Sequence, residues 1–166
     1  MRQSRLMTLA PLIMVAIAGF ACGESPGSSG GGGGTAATAG PQTAAIGSPL
    51  VSNDGKTVTV TKFEPTYGDN ALTDAGKQCI AVDVTLENKS KDEWNGININ
   101  FSVLDANGVK SDLAFGCGAP AGPDALTPGG HATSLLSFEV TKGATGLKLT
   151  WQPSLLDKTT FTVPLA

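Results

Sequence analysis

From residue 46 onward, apolar and polar residues alternate in short runs with a period of two. In the run 56–63, Val58 and Val60 fall on one face, and Phe63 falls on the other together with the threonines. Because successive side chains of a strand point to opposite faces, this pattern predicts strands with one buried face. Such runs occupy residues 56–63, 79–86, 97–103, 135–140, 148–151 and 160–165.

Turn-forming residues separate these runs. Asn53-Asp54-Gly55, Asp105-Ala106-Asn107-Gly108 and Pro128-Gly129-Gly130 contain the residues that tolerate positive φ or begin turns. No long window shows a helical period. About seven to eight short strands bounded by turns predict an all-β sandwich or barrel.

The N-terminus has the pattern of an export signal. Arg2 and Arg5 precede the apolar run 6–21. This run is shorter than the roughly 20 residues that a membrane-spanning helix needs, and it matches the apolar core of a secretory signal. We therefore predict that residues 1–21 are a signal peptide.

The apolar run ends in Gly19-Phe20-Ala21-Cys22-Gly23, which resembles the lipobox of bacterial lipoproteins. The resemblance implies cleavage before Cys22, lipidation of its thiol, and anchoring at the extracytoplasmic face of the membrane. Gly19 and Phe20 depart from the usual pattern. Ala16-Ile17-Ala18 is an alternative cleavage site that would give a secreted soluble protein.

Low complexity marks the next segment, residues 22–45, which includes the glycine run 30–34. Segments of Gly, Ser and Ala cannot bury an apolar face and behave as flexible coils. We expect a disordered linker over 22–45 that tethers a globular domain over 46–166.

Charge argues against nucleic-acid partners. Of the 11 Lys and Arg residues, the two arginines leave with the signal, so nine lysines remain against 14 Asp and Glu residues. Contacts from Arg and Lys supply most of the affinity for phosphate backbones. We therefore expect no nucleic acid among the partners.

Several segments together resemble a known family. They are Val82 to Ser90 (VDVTLENKS), Phe101 to Gly108 (FSVLDANG), Leu126 to Gly130 (LTPGG), Ser137 to Val140 (SFEV) and the closing LKLTW. They resemble DUF4352, a domain of bacterial lipoproteins and secreted proteins that is similar to the mycobacterial secreted immunogenic protein family. The resemblance covers about residues 47–165. It implies an immunoglobulin-like antiparallel β-sandwich, and it implies no catalytic residues.

Two cysteines remain once Cys22 is assigned to lipid. An even pair in an exported domain predicts a disulfide, here Cys79–Cys117. Cys79 begins a strand and Cys117 lies in a loop rich in Gly and Pro, so the bond would attach that loop to the sheet. Two free thiols are the alternative.

The usual signatures of enzymes are missing from the sequence. The single histidine, His131, follows a turn, and no GxSxG elbow is present. Catalytic zinc sites normally use two or three histidines, and no phosphate-binding glycine loop follows a strand. We therefore expect a non-enzymatic protein without metal or cofactor.

Loops on a rigid sandwich are where binding residues concentrate. The long loops are 65–77, 88–96 and 114–127, and they include Tyr67 and Trp94. Trp94 lies outside every alternating run, so either it is an exposed anchor for a partner or it folds back over a sheet edge. We take Trp94 and Tyr67 as the candidate binding residues.

These observations favour a lipid-anchored, immunoglobulin-like binding module of the cell envelope whose partner is an envelope protein or polymer. Two alternatives remain open. The first is a structural or antigenic surface lipoprotein without a specific ligand. The second is a hydrolase whose carboxylates come together only in the fold.

Overall fold

Two sheets that share one hydrophobic core form the body of the protein. The computed structural model describes residues 42–68, 73–118, 122–154 and 159–165. The strands in these ranges are β1 Gln42–Thr43, β2 Pro49–Val51, β3 Lys56–Glu64, β4 Lys77–Asn88, β5 Trp94–Asn95, β6 Phe101–Leu104, β7 Lys110–Asp112, β8 Ala125–Leu126, β9 His131–Thr141, β10 Lys148–Trp151 and β11 Phe161–Pro164. Two short 3₁₀ helices lie at Ile97–Asn100 and Phe115–Cys117.

The strand order defines a sandwich. One sheet has the order β2-β3-β4-β9, and the other has the order β1-β11-β10-β6-β7. All neighbouring strands in the two sheets are antiparallel except β1 and β11, which are parallel. Strands β5 and β8 form a separate pair. The predicted all-β, immunoglobulin-like sandwich is confirmed, and the chain has more short strands than the seven to eight expected.

Alternation along the strands produces the core. The apolar residues of β4 at even positions, from Ile80 to Leu86, are buried and pair with β9 on one side and β3 on the other. Val103, Leu149 and Val163 lie in register across the second sheet and face the same interior. Hydrophobic burial of this kind is the main stabilising contribution to such a domain.

A bulge in β3 changes one assignment made from the sequence. The pairing of β3 with β4 shifts register between Val60 and Lys62, and beyond the shift Phe63 lies opposite Val82. Val82 is a core residue, so Phe63 lies on the core side with Val58 and Val60, where it packs against the core. The prediction that Phe63 lies on the opposite face was wrong, because one extra residue in a strand inverts every face beyond it.

Two boundaries also differ from expectation. Residues 97–100 form a 3₁₀ helix rather than the start of a strand, and Gly96 precedes it with φ of 64°. Gln42 and Thr43 pair with β11, so the sheet includes residues that were assigned to the linker.

The predicted signal peptide and Cys22 lie outside the described residues. In the described ranges, none of the helices is long and apolar enough to cross a membrane.

Asn88 joins the end of β4 to the adjoining loops. It is fully buried, and its Nδ2 donates to the carbonyls of Asp92 (2.9 Å) and Leu126 (2.8 Å). Its Oδ1 accepts from the amide of Ser90 (3.1 Å) and from the Ser90 hydroxyl (2.6 Å). Each polar atom of the amide is therefore satisfied, as burial requires.

Gly122 approaches β9 closely. A Cβ at this position would lie 2.7 Å from Cβ of Ser134, which is a buried residue of β9. A larger residue here would push the segment away from the sandwich.

Candidate interaction surface around the disulfide

The segment after β7 leaves one sheet and attaches to the other. Leu113 forms a bridge with Phe138 of β9. The amide of Ala114 donates to the carbonyl of Ser137 (2.9 Å), and the hydroxyl of Ser137 donates to the carbonyl of Ala114 (2.9 Å). The chain is thus held to the free edge of β9 immediately before the 3₁₀ helix Phe115–Cys117.

The predicted disulfide fastens the other end of this helix. Cys79 of β4 is bonded to Cys117, with a Cα–Cα distance of 5.7 Å. Both cysteines are buried. The predicted pairing is confirmed, and the bond closes a sequence separation of 38 residues.

Phe115 lies between these two attachments and points outward. It is 72% exposed, the highest value among the exposed large apolar residues of the described ranges. The backbone around it is ordered by two turn hydrogen bonds, from the amide of Cys117 to the carbonyl of Ala114 and from the amide of Gly118 to the carbonyl of Phe115, each 3.2 Å long. An aromatic side chain in water on a backbone fixed at both ends has the form of a binding anchor.

The loop 114–127 was predicted from the sequence as a place for binding residues, but Phe115 itself was not among the predicted binding residues. The available signal was its position two residues before Cys117, outside every alternating run and next to Gly116. The pattern alone could not distinguish an exposed phenylalanine from one that folds inward.

Tyr67 packs beside the same loop. Its amide donates to the carbonyl of Cys79 (2.9 Å), and its side chain is half-buried. Gly68 has φ of +67°, and a Cβ there would lie 2.9 Å from the carbonyl oxygen of Cys117. The turn at residues 67–68 therefore contacts the disulfide-bonded loop.

A cavity of about 370 Å³ opens beside Phe115. Its walls combine the apolar Phe101, Leu113 and Phe115 with the polar Asn98, Lys110 and Asp112. Lys110 Nζ lies 2.6 Å from Asp112 Oδ1, so the two charges offset each other. A cavity that has both apolar and polar walls, and whose two charged residues are paired with each other, suits a contact with another protein.

Comparison with known proteins places this architecture in a family. The sequence profile of the domain of unknown function DUF4352 matches residues 46–161. The chain belongs to the DUF4352 family. No curated protein sequence matches it.

Solved structures share the fold of this DUF4352 protein. The secreted protein MPT63 of Mycobacterium tuberculosis aligns with a TM-score of 0.61 and 16% identity, over 76% of this chain and 99% of MPT63. The yjhA protein of Bacillus subtilis aligns with a TM-score of 0.56 and 20% identity, over 74% of this chain and 98% of yjhA. The candidate lipoprotein ycdA of Bacillus subtilis subsp. subtilis strain 168 aligns with a TM-score of 0.55 and 18% identity, over 70% of this chain and 38% of ycdA. At these identities the likeness shows the fold.

Trp94 does not lie on the surface of the DUF4352 domain. It is 1% exposed, and its ring centroid lies 5.7 Å from that of Trp151. Trp151 also contacts Phe101 and Phe161, so Trp94 completes an aromatic cluster in the core. Of the two alternatives for Trp94, the one in which it folds back over the sheet holds and the exposed anchor was wrong, because pairing of β5 with β8 folds this loop over the interior. The structure therefore does not bring Trp94 and Tyr67 together on one surface.

His131 begins β9 and is exposed, in register with Glu87 of β4. The Nζ of Lys89 lies 2.6 Å from Oε2 of Glu87, and this hydrogen bond lowers the pKa of the Glu87 carboxyl. Among the described residues, no group of three or more His, Cys, Asp or Glu side chains is arranged to hold a metal ion.

Proposed function

We propose that this protein is a lipid-anchored, non-catalytic interaction module at the extracytoplasmic face of the cell membrane, which binds a protein partner of the envelope through Phe115. The Cys79–Cys117 disulfide supports an oxidising compartment, since such bonds persist mainly in exported proteins. The N-terminal pattern ending at Cys22 and the shared fold with the candidate lipoprotein ycdA support anchoring. The shared fold with the secreted MPT63 supports export.

The observation that carries the binding role is the exposure of Phe115 on a backbone fixed at both ends. Phe115 adjoins a cavity whose walls combine apolar and polar residues, and an exposed apolar patch with polar residues around it is typical of a protein interaction site. Burying a phenylalanine side chain contributes about 2 kcal/mol, which corresponds to roughly 30-fold in Kd. The disulfide and the β9 hydrogen bonds order the loop before binding, so little conformational entropy is lost when a partner docks.

Site-specific crosslinking tests this binding role. A photoreactive phenylalanine analogue placed at position 115 should crosslink an envelope protein in intact cells, whereas the same analogue at position 109 should not. Val109 is a matched control because it is also apolar and exposed. Phe115→Ala should weaken capture of the crosslinked partner by roughly 30-fold, and Val109→Ala should leave it unchanged. Equal crosslinking at both positions, or unchanged capture by Phe115→Ala, would contradict the proposal.

Metabolic labelling with a fatty-acid analogue tests the anchor separately. The protein should incorporate the label, and Cys22→Ser should abolish it and release the protein into the medium. One acyl chain alone binds a membrane only marginally, so firm retention requires the further acylation typical of lipoproteins. An unlabelled protein that is released from the cell would indicate cleavage at Ala16-Ile17-Ala18 instead.

A further inference from the structure

The surface around Phe115 has a projecting ring and a recess side by side. Phe115 is 72% exposed, and the cavity of about 370 Å³ that it borders has Phe101 and Leu113 as its other apolar walls. A cavity of about 150 Å³ is large enough to hold a benzene molecule, so this recess can accept the ring of a phenylalanine. The same patch therefore offers an aromatic side chain and a space into which an aromatic side chain fits.

Charges on this patch also come as a complementary pair. Lys110 and Asp112 of strand β7 line the cavity, and their side chains are 59% and 73% exposed. They are two residues apart on one strand, so they lie on the same face of the sheet, and Lys110 Nζ lies 2.6 Å from Asp112 Oδ1. The patch thus presents one cation next to one anion.

A surface that carries both members of each complementary pair is complementary to itself. A two-fold symmetric contact uses the same patch on both subunits, so each contact occurs twice. Such an axis between Phe115 and the recess places the ring of each copy in the recess of the other. Where the axis also crosses β7 at Ser111, the rotation reverses the order of Lys110 and Asp112. The lysine of each copy then meets the aspartate of the other.

Charge favours a second copy over an unrelated partner of strong charge. The predicted mature chain carries nine lysines against 14 Asp and Glu residues, so two copies repel each other on average. Lys110 and Asp112 offset each other, so two copies can approach at this patch without that repulsion. A strongly cationic or anionic partner would gain little attraction from two charges that are already paired.

We propose that the partner of Phe115 is a second copy of this chain. In this two-fold contact, Phe115 fills the recess of the other copy, and Lys110 pairs with the other copy's Asp112. The inference rests on the proposed binding role of Phe115 and names the partner. The anchor predicted at Cys22 would hold the copies in one membrane leaflet, which raises their effective concentration.

Charge reversal tests the two-fold arrangement by sedimentation equilibrium of the purified protein carrying Cys22→Ser, which removes the predicted lipid site. Lys110→Asp makes both charges of the patch acidic, and Asp112→Lys makes both basic. Each variant alone should self-associate roughly tenfold more weakly, because two exposed attractions become repulsions. An equimolar mixture of the two variants should regain the lost affinity as a heterodimer. The double variant Lys110→Asp/Asp112→Lys should dimerise by itself.

Lys62 and Glu64 supply the matched control. They form an exposed ion pair of the same kind, two residues apart on β3 of the other sheet. Lys62→Asp changes the net charge as much as Lys110→Asp does, and it should leave association unchanged. Phe115→Ala removes two rings from a two-fold contact, so it should weaken association by at least about 30-fold, the value expected for one ring.

Crosslinking in cells separates this inference from the proposed function. The photoreactive analogue at position 115 should give a product of twice the protomer mass that contains two differently tagged copies. A product with a different envelope protein would overturn the second copy and leave the binding role of Phe115 intact, whereas no product would overturn both. A protein that stays monomeric up to about 1 mM, or a mixture that associates no better than either single variant, would also overturn the two-fold contact.

Discussion

Replacing Trp94 with alanine should strongly destabilise the domain, although this side chain takes no part in the proposed binding surface. The indole is 1% exposed and packs against Trp151 in the aromatic cluster. An aromatic side chain buries roughly 150–250 Å², and at about 25 cal/mol per Å² this contributes roughly 4–6 kcal/mol as an upper bound. Alanine retains a small part of this contribution.

The buried N–H of the indole reduces the expected loss in the free energy of unfolding. The Nε1–H of Trp94 is buried and has no hydrogen-bond partner among the described residues, and such an orphan donor costs about 1–3 kcal/mol. The substitution removes this cost along with the ring. The net loss should therefore lie near the lower end of the roughly 3–5 kcal/mol typical of Trp→Ala in a core.

Urea unfolding followed by tryptophan fluorescence and circular dichroism measures this loss. We expect a fall of about 3 kcal/mol in the free energy of unfolding, with an unchanged slope on denaturant concentration. The melting temperature should fall by roughly 9–18 °C for a domain of this size. Trp94→Phe should cost much less, because it keeps a ring and removes the orphan donor.

Phe115→Ala is the control for this prediction. Because that side chain is largely in water, its removal should change stability by less than about 0.5 kcal/mol. If Trp94→Ala and Phe115→Ala had equal effects on the free energy of unfolding, the assignment of one to the core and the other to the surface would be refuted.

Three further predictions concern the disulfide, Gly122 and Asn88. Reduction of the Cys79–Cys117 bond should lower stability by about 3–4 kcal/mol in the loop-entropy account, and thiol titration of the unreduced, denatured protein should detect neither cysteine; two reactive thiols would contradict this. Gly122→Ala should destabilise by roughly 1–3 kcal/mol because its Cβ would clash with β9, whereas Gly116→Ala meets no atom within 4 Å and should be neutral in thermal melts. Asn88→Asp should cost roughly 1–3 kcal/mol, since the carboxylate cannot donate to the two carbonyls that its Nδ2 now satisfies; an unchanged melting temperature would show that the network is dispensable.

Much of the fold was readable from the sequence. Alternation identified the central strands, because a strand with one buried face must place an apolar residue at every second position. The even cysteine pair in a domain predicted to be exported sufficed to predict the Cys79–Cys117 bond. Tyr67 was correctly placed in a loop, and the structure adds that this loop lies against the disulfide.

The candidate surfaces depended on contacts between distant segments. Trp94 and Phe115 look alike in the sequence, since each is a lone aromatic outside the alternating runs. Pairing of β5 with β8 buries one, and the attachment of residues 113–117 to β9 and β4 exposes the other.

Local pattern thus determined the strands and the fold class, because these depend on residue type and on spacing along the chain, and the export signal stays a prediction. Tertiary structure decided the face of Phe63, the burial of Trp94 and the exposure of Phe115. The face of Phe63 depends on the register between β3 and β4, since a shift of one residue reverses the face on which a side chain lies. The burial of Trp94 and the exposure of Phe115 depend on contacts between segments that are far apart in the chain.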